Sequence, residues 1–542
     1  MKTSSSTPRS KSKLQASNQA RAAAPQKPYA LTRRSFLYSS LLAGVAPAVF
    51  AAAGGRFVSP NSKLNIASIG AGGRALQVLG GLESENIMAL ADVDWARAAG
   101  GFQRFPNATR YKDFRQMLDR ERSIDAVLIA TPDHMHAPAA LAAMQLGKHV
   151  YVEKPLTRTP WEARLLTEAA AKYRVATQMG NQGYSHEATR VASEIIWSGE
   201  IGDVTEVHAF RAAAGWPNGA TMQEVPASTP VPDTLDWDLW LGPAAARPFT
   251  SGGAAYEGQQ NGFYLPFNWR GFFDFGTDLI GDWGIHILGP ANWALQLGAP
   301  LSVECVKQEG QSPFTYPDRM HIRWGFGARG SMPPVAINWY VNYPGPSGPD
   351  AYTPTGMTID QVRQLPGTGP ALGGAARGGG GGARAGGTAG APAAAAEAGA
   401  AAAGAARGGG GRGGGGAGGG QQGSGYNQIF VGTKGFLGTS GRGEGVGLIP
   451  GSRWAEYTLP SQLMSRSPGH QRDWIRACKG GTACCSDFSV SGPYTEWVVL
   501  GAAAIRVPGK LLWDSQRFEF TNSPEANQYL KPHMRPGWEM KA

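Results

Sequence analysis

Three side chains in this 542-residue sequence have the types needed to move a proton. Lys154 stands in Glu153-Lys154-Pro155, directly after the apolar run His149-Val-Tyr-Val152. Asp282 and His286 stand four residues apart in Asp282-Trp-Gly-Ile-His286, so on a helix they share one face, one turn apart. A carboxylate so placed can orient and charge-stabilise an imidazole, making the pair a general base. An ammonium beside them can stabilise the oxyanion left when a hydroxyl loses its proton. The bland reading of the same residues is a solvated lysine, a capping aspartate and a core histidine. The elements that would have to carry them decide between the two.

Lysine 154 depends on a sheet that begins at Lys63-Leu-Asn-Ile-Ala-Ser-Ile-Gly70-Ala-Gly72-Gly73-Arg74. Leu64, Ile66 and Ile69 predict a buried parallel strand, and Ala75 to Leu82 a helix, so the glycines fall at a strand-to-helix turn. Gly70 permits the tight turn, Gly72 lets backbone approach a pyrophosphate, and the helix start offers free N–H groups. Ala75 fills the sixth position of the G-x-G-x-x-G/A pattern. A second apolar run, Asn86-Ile-Met-Ala-Leu-Ala-Asp92, ends in an acid 22 residues beyond Gly70. A carboxylate there accepts hydrogen bonds from ribose hydroxyls and repels a 2′-phosphate, which points to NAD, with NADP as the second choice. The neighbouring Asp94 reads more simply as a cap on a helix starting at Trp95.

Strands and helices keep alternating through Met179, which predicts an α/β fold with a doubly wound, Rossmann-type parallel sheet over residues 62–183. Thr131-Pro132-Asp-His-Met-His136 and Glu153-Lys154 both follow strands, at the sheet edge where cofactors bind. From Tyr184 the grammar changes to longer strands, including Ser302 to Glu309, Met320 to Phe326 and Pro334 to Val341. Residues 184–366 and 426–542 therefore read as a second, α+β domain with a mostly antiparallel sheet. Between them, residues 367–425 are almost wholly glycine and alanine, which cannot bury enough apolar surface to order. Its Arg-Gly-Gly character has no aromatic residues for base stacking, so it reads as a disordered insert rather than an RNA-binding tail.

The net charge of +10 is misleading. Residues 1–53 hold eight basic residues and no acid, so the remainder stands at +2 and gives no argument for nucleic acid. That leader runs from a basic segment through Arg33-Arg34-Ser-Phe-Leu to the apolar Leu41 to Phe50 and then Ala51-Ala52-Ala53. It resembles a twin-arginine export signal with cleavage near Ala53, giving a periplasmic or secreted protein. No other apolar run approaches membrane-spanning length. Cys305, Cys478, Cys484 and Cys485 are too irregularly spaced for a zinc site or a disulfide framework.

The Gly70 turn, Asp92, Thr131-Pro132 to His136, Glu153-Lys154-Pro155 and Asp282 to His286 together resemble the glucose-fructose oxidoreductase / inositol dehydrogenase / MocA (Gfo/Idh/MocA) family. Gly180-Asn181-Gln182, Trp269-Arg270 and Gly492-Pro-Tyr-Thr-Glu496 resemble its secreted branch. The resemblance implies Lys154, Asp282 and His286 as active-site residues and an open-faced second sheet, often an oligomerisation surface. Its cofactor contacts would come from Gly70, Gly72, Gly73, Arg74, Asp92, Thr131, Pro132, His136, Glu153, Lys154 and Asn181. Aromatic supply from Trp269, Trp283, Tyr264 and Phe267, with Arg270, His186 and Asn181, would suit a polyhydroxy ring.

The function expected is therefore an exported NAD(P)-dependent oxidoreductase acting on a secondary hydroxyl of a sugar or cyclitol, with the nicotinamide tightly held. A second reading uses transient oxidation to eliminate a glycosidic bond, with Tyr184 or Tyr264 as an extra base. A third is a sugar-binding protein without catalysis, which would need neither Lys154 nor the Asp282–His286 pair.

Overall fold

The computed structural model describes residues 62–212, 216–219, 222–252, 263–343, 357–364 and 425–541. The readings of the leader, 1–53, and of nearly all of the glycine-rich insert lie outside them. Ile66, Ala67 and Ile69 are buried in β1 (Asn65–Ile69), a strand central to a six-stranded sheet. Beside it stand β2 (Asn86–Ala91), β3 (Thr109–Tyr111), β4 (Ala126–Ile129), β5 (His149–Val152) and β6 (Thr177–Met179), in the order β3-β2-β1-β4-β5-β6. Every neighbouring pair is parallel. Crossovers run through α1 (Arg74–Leu79), α2 (Trp95–Arg104), α3 (Phe114–Arg120), α4 (His136–Gln145) and α5 (Pro160–Tyr173). The strand order reverses between β1 and β4, so the connections leaving their carboxyl ends diverge and open a crevice. Gly70 and Thr131 stand at that point.

Helix α6 (Glu187–Trp197) leads into the second sheet, whose order is β13-β12-β11-β7-β10-β9-β8-β14-β15. Its strands are β7 (Val204–Arg211), β8 (Ser302–Glu309), β9 (Arg319–Phe326), β10 (Val335–Val341), β11 (Gln428–Gly432), β12 (Gly435–Ser440), β13 (Gly445–Ile449), β14 (Leu511–Asp514) and β15 (Glu519–Phe520). Only the β7–β10 pair is parallel, so the sheet is mixed and mostly antiparallel. Among the short helical pieces between β7 and β8 are two turns, α7 (Asp278–Asp282) and α8 (Gly284–Ile287), separated by Trp283.

Two late helices tie the halves together. Helix α10 (Phe488–Arg506) shares one core with α5 and with Trp324 of β9, through Trp497, Val498 and Leu500. Helix α9 (His470–Cys478), expected with the second domain, packs instead on the first sheet. Trp474 meets the Tyr151 ring edge-on at 5.6 Å, and the Gln178 amide donates to the His470 carbonyl at 2.6 Å. The amphipathic pattern of α9 predicts a buried face but not which sheet that face covers. Cys478 and Cys484 are buried in the same cluster, and all four cysteines are unpaired.

Candidate active site

A cleft of about 710 Å³ opens at the carboxyl ends of β1, β4 and β5. Gly70, Gly72, Asp92, Thr131, Pro132 and Lys154 line it from the first sheet, and Trp269, Arg270, Asp282, Trp283 and His286 close it from the second-domain segment. Gly73, Arg74 and Glu153 also reach it.

The glycine turn has steric reasons for its sequence. Gly70 adopts φ +89°, and a Cβ there would sit 2.6 Å from the Ala130 carbonyl oxygen. At Gly72 a Cβ would sit 2.4 Å from the Arg97 carbonyl oxygen. Both distances are far inside contact, so β1, β4 and α2 approach as closely as they do only around glycine. No side chain caps the start of α1, which leaves its first N–H groups facing the cleft mouth.

Asp92 is half-buried at the cleft and locks this turn. Its Oδ2 accepts from Ala71 N at 2.8 Å and its Oδ1 from Asp94 N at 3.0 Å. Burial raises its pKa, against those backbone donors. Each carboxylate oxygen retains a lone pair for a further donor such as a ribose hydroxyl. Asp94 is the N-cap of α2, accepting from Arg97 N.

Lys154 leaves the end of β5 beside a buried carboxylate network. Its Nζ donates to Asp282 Oδ1 at 2.5 Å, and Arg270 Nε donates to the same oxygen at 2.9 Å. Burial works against the charge on Asp282, but the Lys154 and Arg270 cations outweigh it and hold the carboxyl well below the usual range. The Arg270 guanidinium also stacks over Trp269 at 4.2 Å and Phe267 at 4.9 Å, which fixes it against the aromatic wall. One shell behind, the buried Asp133 accepts from Thr277 Oγ1 at 2.7 Å and is pushed up to about 7 by burial.

The expected Asp282–His286 pair takes a different form. The helix breaks at Trp283, and Asp282 spends its accepting oxygen on Lys154 and Arg270 instead of the imidazole. His286 Nδ1 is buried without a hydrogen-bond partner among the described residues. Burial, then the Lys154 and Arg442 charges, drive the imidazole pKa well below its ordinary value, and Asp282 opposes them only through its charge. That shift favours the neutral imidazole, the form a general base requires.

Three other expected site residues sit behind the cleft wall. His136 bridges two loops: Nδ1 lies 2.8 Å from the Pro155 carbonyl and Nε2 3.0 Å from the Thr131 carbonyl. It positions the Lys154 loop against the Thr131 turn rather than meeting a ligand. Asn181 is 1% exposed and accepts from Ser486 Oγ at 2.5 Å. His186 is outside the cleft lining, next to Glu444 and Arg442. Tyr184 is buried against Asn292, and Tyr264 stacks in an aromatic cluster with Trp237, so neither is a base at this site. Conversely, Arg442, Gln182 and Trp216 line the cleft unforeseen. Arg442 lies in Ser-Gly-Arg-Gly-Glu-Gly, whose composition signals only a turn.

A nicotinamide dinucleotide suits this donor set: a side-chain-free turn for the phosphates, a carboxylate at the end of β2 for a ribose, and a polar cluster at the far end of the cleft. The comparisons agree. The NAD-binding Rossmann-fold model of the Gfo/Idh/MocA oxidoreductases matches residues 64–181, and the model of their C-terminal alpha/beta domain matches residues 196–319. A levoglucosan dehydrogenase from Pseudarthrobacter phenanthrenivorans is 32% identical over 123 residues, 23% of this chain and 31% of that protein. Inositol 2-dehydrogenase 2 of Saccharopolyspora erythraea is 30% identical over 156 residues, covering 29% and 45%. A glycosyl hydrolase family 109 protein of Solibacter usitatus is 30% identical over 198 residues, covering 32% and 44%. The chain thus spans between about a third and a half of the length of the curated relatives it matches. With an NAD-binding Rossmann domain followed by the matching C-terminal domain, the chain is a member of the Gfo/Idh/MocA oxidoreductase family.

Proposed function

We propose that the protein oxidises a secondary hydroxyl of a sugar or cyclitol, passing hydride to NAD held in the cleft. The observation that carries this reading is the convergence of Lys154, Asp282, Arg270 and neutral His286 at the wall opposite the Gly70 turn. Bound NAD supplies the hydride acceptor. The chain's own residues do the rest. The Gly70–Gly73 turn would take its phosphates, and Asp92 would accept from its ribose. His286 accepts the hydroxyl proton as the C–H bond weakens. Lys154, held in place by Asp282, donates to the developing oxyanion. Arg270, Trp269 and Trp283 form a polar and aromatic wall of the kind that receives a polyhydroxy ring. The inositol and levoglucosan dehydrogenases among the relatives support this substrate class.

We further propose export. Arg33-Arg34, the apolar Leu41 to Phe50 and the small residues at Ala51 to Ala53 support a twin-arginine route, which carries folded proteins and so allows a preloaded cofactor. The open second sheet would then serve a homo-oligomer. A glycosyl hydrolase family 109 relative favours a second reading, in which oxidation is transient and a glycosidic bond is cleaved.

One experiment tests the first reading. The protein is purified without added cofactor, denatured, and the released nucleotide identified by mass spectrometry; the reloaded protein is then offered polyols and glycosides. Near-stoichiometric NAD and its reduction by a polyol support a dehydrogenase. Glycoside cleavage without lasting reduction supports the second reading. An empty site with no affinity for NAD or NADP contradicts both.

A further inference from the structure

A second cavity, of about 610 Å³, lies away from the nucleotide cleft and shares none of its lining residues. It forms where the end of α10 and the connection from β8 to β9 meet the segment around Phe273. Its charges do not balance. Arg247 and Arg506 line it, and Arg158 adjoins it through an Nη1 bond of 2.9 Å to the Phe273 carbonyl. The single acid in the lining is Asp274, whose carboxylate is held by Arg247. The charges of Arg247, Arg158 and Arg506 all act on Asp274 and lower its pKa, although burial opposes them.

Arg506 is the surplus cation. Its guanidinium carbon lies 3.9 Å from the Phe273 ring centroid and 4.7 Å from that of Tyr529, with no hydrogen-bond acceptor among the described residues. A half-buried guanidinium with no acceptor of its own has a fork of donors to offer an anion entering the cavity. Two other side chains of the lining hold polar atoms without a partner among the described residues. Thr315, 1% exposed, lines the cavity with a buried hydroxyl that has no partner. Gln308 donates its amide to the Ile505 carbonyl at 3.0 Å, while its Oε1 is buried without a partner. Buried polar groups left unpaired mark a place where something else binds. Cavities of this size take small ligands rather than chains.

We propose that this cavity binds a small hydroxylated oxyanion, a sugar-sized carboxylate or phosphate ester, independently of the reaction in the cleft. Arg506 takes the anionic head in a charge-assisted, forked contact. Thr315 donates its hydroxyl to the same head. Gln308 Oε1 accepts from a ligand hydroxyl, and Phe273 and Tyr529 hold Arg506 in place. An apolar ligand would leave all three groups unsatisfied.

The test is isothermal titration of the full-length protein, saturated with NAD so that the cleft does not compete. Inorganic phosphate and gluconate serve as the two probes, at constant ionic strength. At least one should bind saturably, gluconate more tightly if the head is a carboxylate and phosphate if it is a phosphate ester. Arg506→Gln should weaken that binding at least tenfold with NAD affinity unchanged. Thr315→Val, which removes only a hydroxyl, should weaken it severalfold and serves alone if Arg506→Gln does not fold. Failure of both probes to bind, or binding unchanged in both variants, overturns the proposal. So does a dimer by light scattering that Arg506→Gln dissociates, since an acidic group of a second copy would then be the occupant.

Discussion

Lys154 Nζ and Asp282 Oδ1 stand 2.5 Å apart, joining the loop after the fifth strand of the first sheet to a short helical turn of the second-domain segment. Both side chains are nearly buried, at 14% and 11% exposure. The ammonium is thereby fixed at the end of the cleft by a carboxylate shared with Arg270. The aspartate's office is to hold the lysine, not the histidine.

Asp282→Asn should therefore leave two buried cations facing a neutral amide. A loss of about 3–5 kcal/mol is expected for breaking such a pair. The sign of the pH effect follows from the direction of the shift. The folded carboxyl is held below its unfolded value, so its stabilisation is present above about pH 4 and fades as pH falls below that. Denaturant titrations across that range should show a shallower acid loss in the variant; parallel curves would contradict the assignment.

Asp278 behaves in the opposite sense. It is buried, accepts from Trp216 Nε1 at 2.6 Å, and is pushed up to about 7 by burial. Between about pH 4 and 7 the folded protein holds a proton that the unfolded chain has lost, so stability falls as pH rises through that window. Asp278 also adopts φ +48°, which asparagine tolerates well. Asp278→Asn should raise the melting temperature at pH 8 and leave it nearly unchanged at pH 4. No gain at pH 8 would show that the site does not strain the charged form.

Five histidines shape the acid limit. His134 is lowered to about 3, and His136, His149, His321 and His470 to about 4, in each case chiefly by burial. The unfolded chain takes up their protons near pH 6.5 and the folded one does not; the five outnumber Asp133 and Asp278, which release protons in the same window, so net stability should climb as pH rises from 4 to 6.5. Calorimetric unfolding at pH 5 in buffers of different ionisation enthalpy should register proton uptake. Proton release would contradict the neutral assignment.

The nucleotide end is tested by Gly70→Ala and Asp92→Ala. The first forces a side chain at φ +89° into the Ala130 carbonyl, so a destabilisation of about 1–3 kcal/mol and weaker NAD binding are expected. The second frees the Ala71 and Asp94 amides and removes the charge that would repel a 2′-phosphate. Fluorescence titration should show NAD binding weakened roughly tenfold, about 1.4 kcal/mol, and NADP discrimination relaxed. Unchanged preference would move the ribose contact elsewhere.

The parallel sheet was legible because its strands β1, β2, β4 and β5 are uninterrupted apolar runs ending in turn residues. Thr109–Tyr111 was not, since a three-residue edge strand with two exposed positions has no periodicity to read. Lys154, Arg270, Asp282 and His286 could be picked out by type and spacing. Their pairing could not: the break at Trp283 depends on tertiary packing, and spacing alone favoured Asp282 with His286. His136 and Asn181 carry the same motif signals as cleft residues yet turn inward onto backbone and Ser486. Arg442 arrives from more than 150 residues beyond His286 in a glycine-rich turn, and only the folded β12–β13 hairpin brings it to the cleft.

Lys154 is central to the proposed chemistry. The direct measurement is single-turnover reduction of bound NAD, followed by nicotinamide fluorescence, on mixing the loaded protein with a panel of sugars and cyclitols. Wild type should reduce about one equivalent with at least one member, and Lys154→Ala should do so roughly 10²–10⁴-fold more slowly while binding NAD as tightly. Reduction by Lys154→Ala at the wild-type rate would contradict the mechanism.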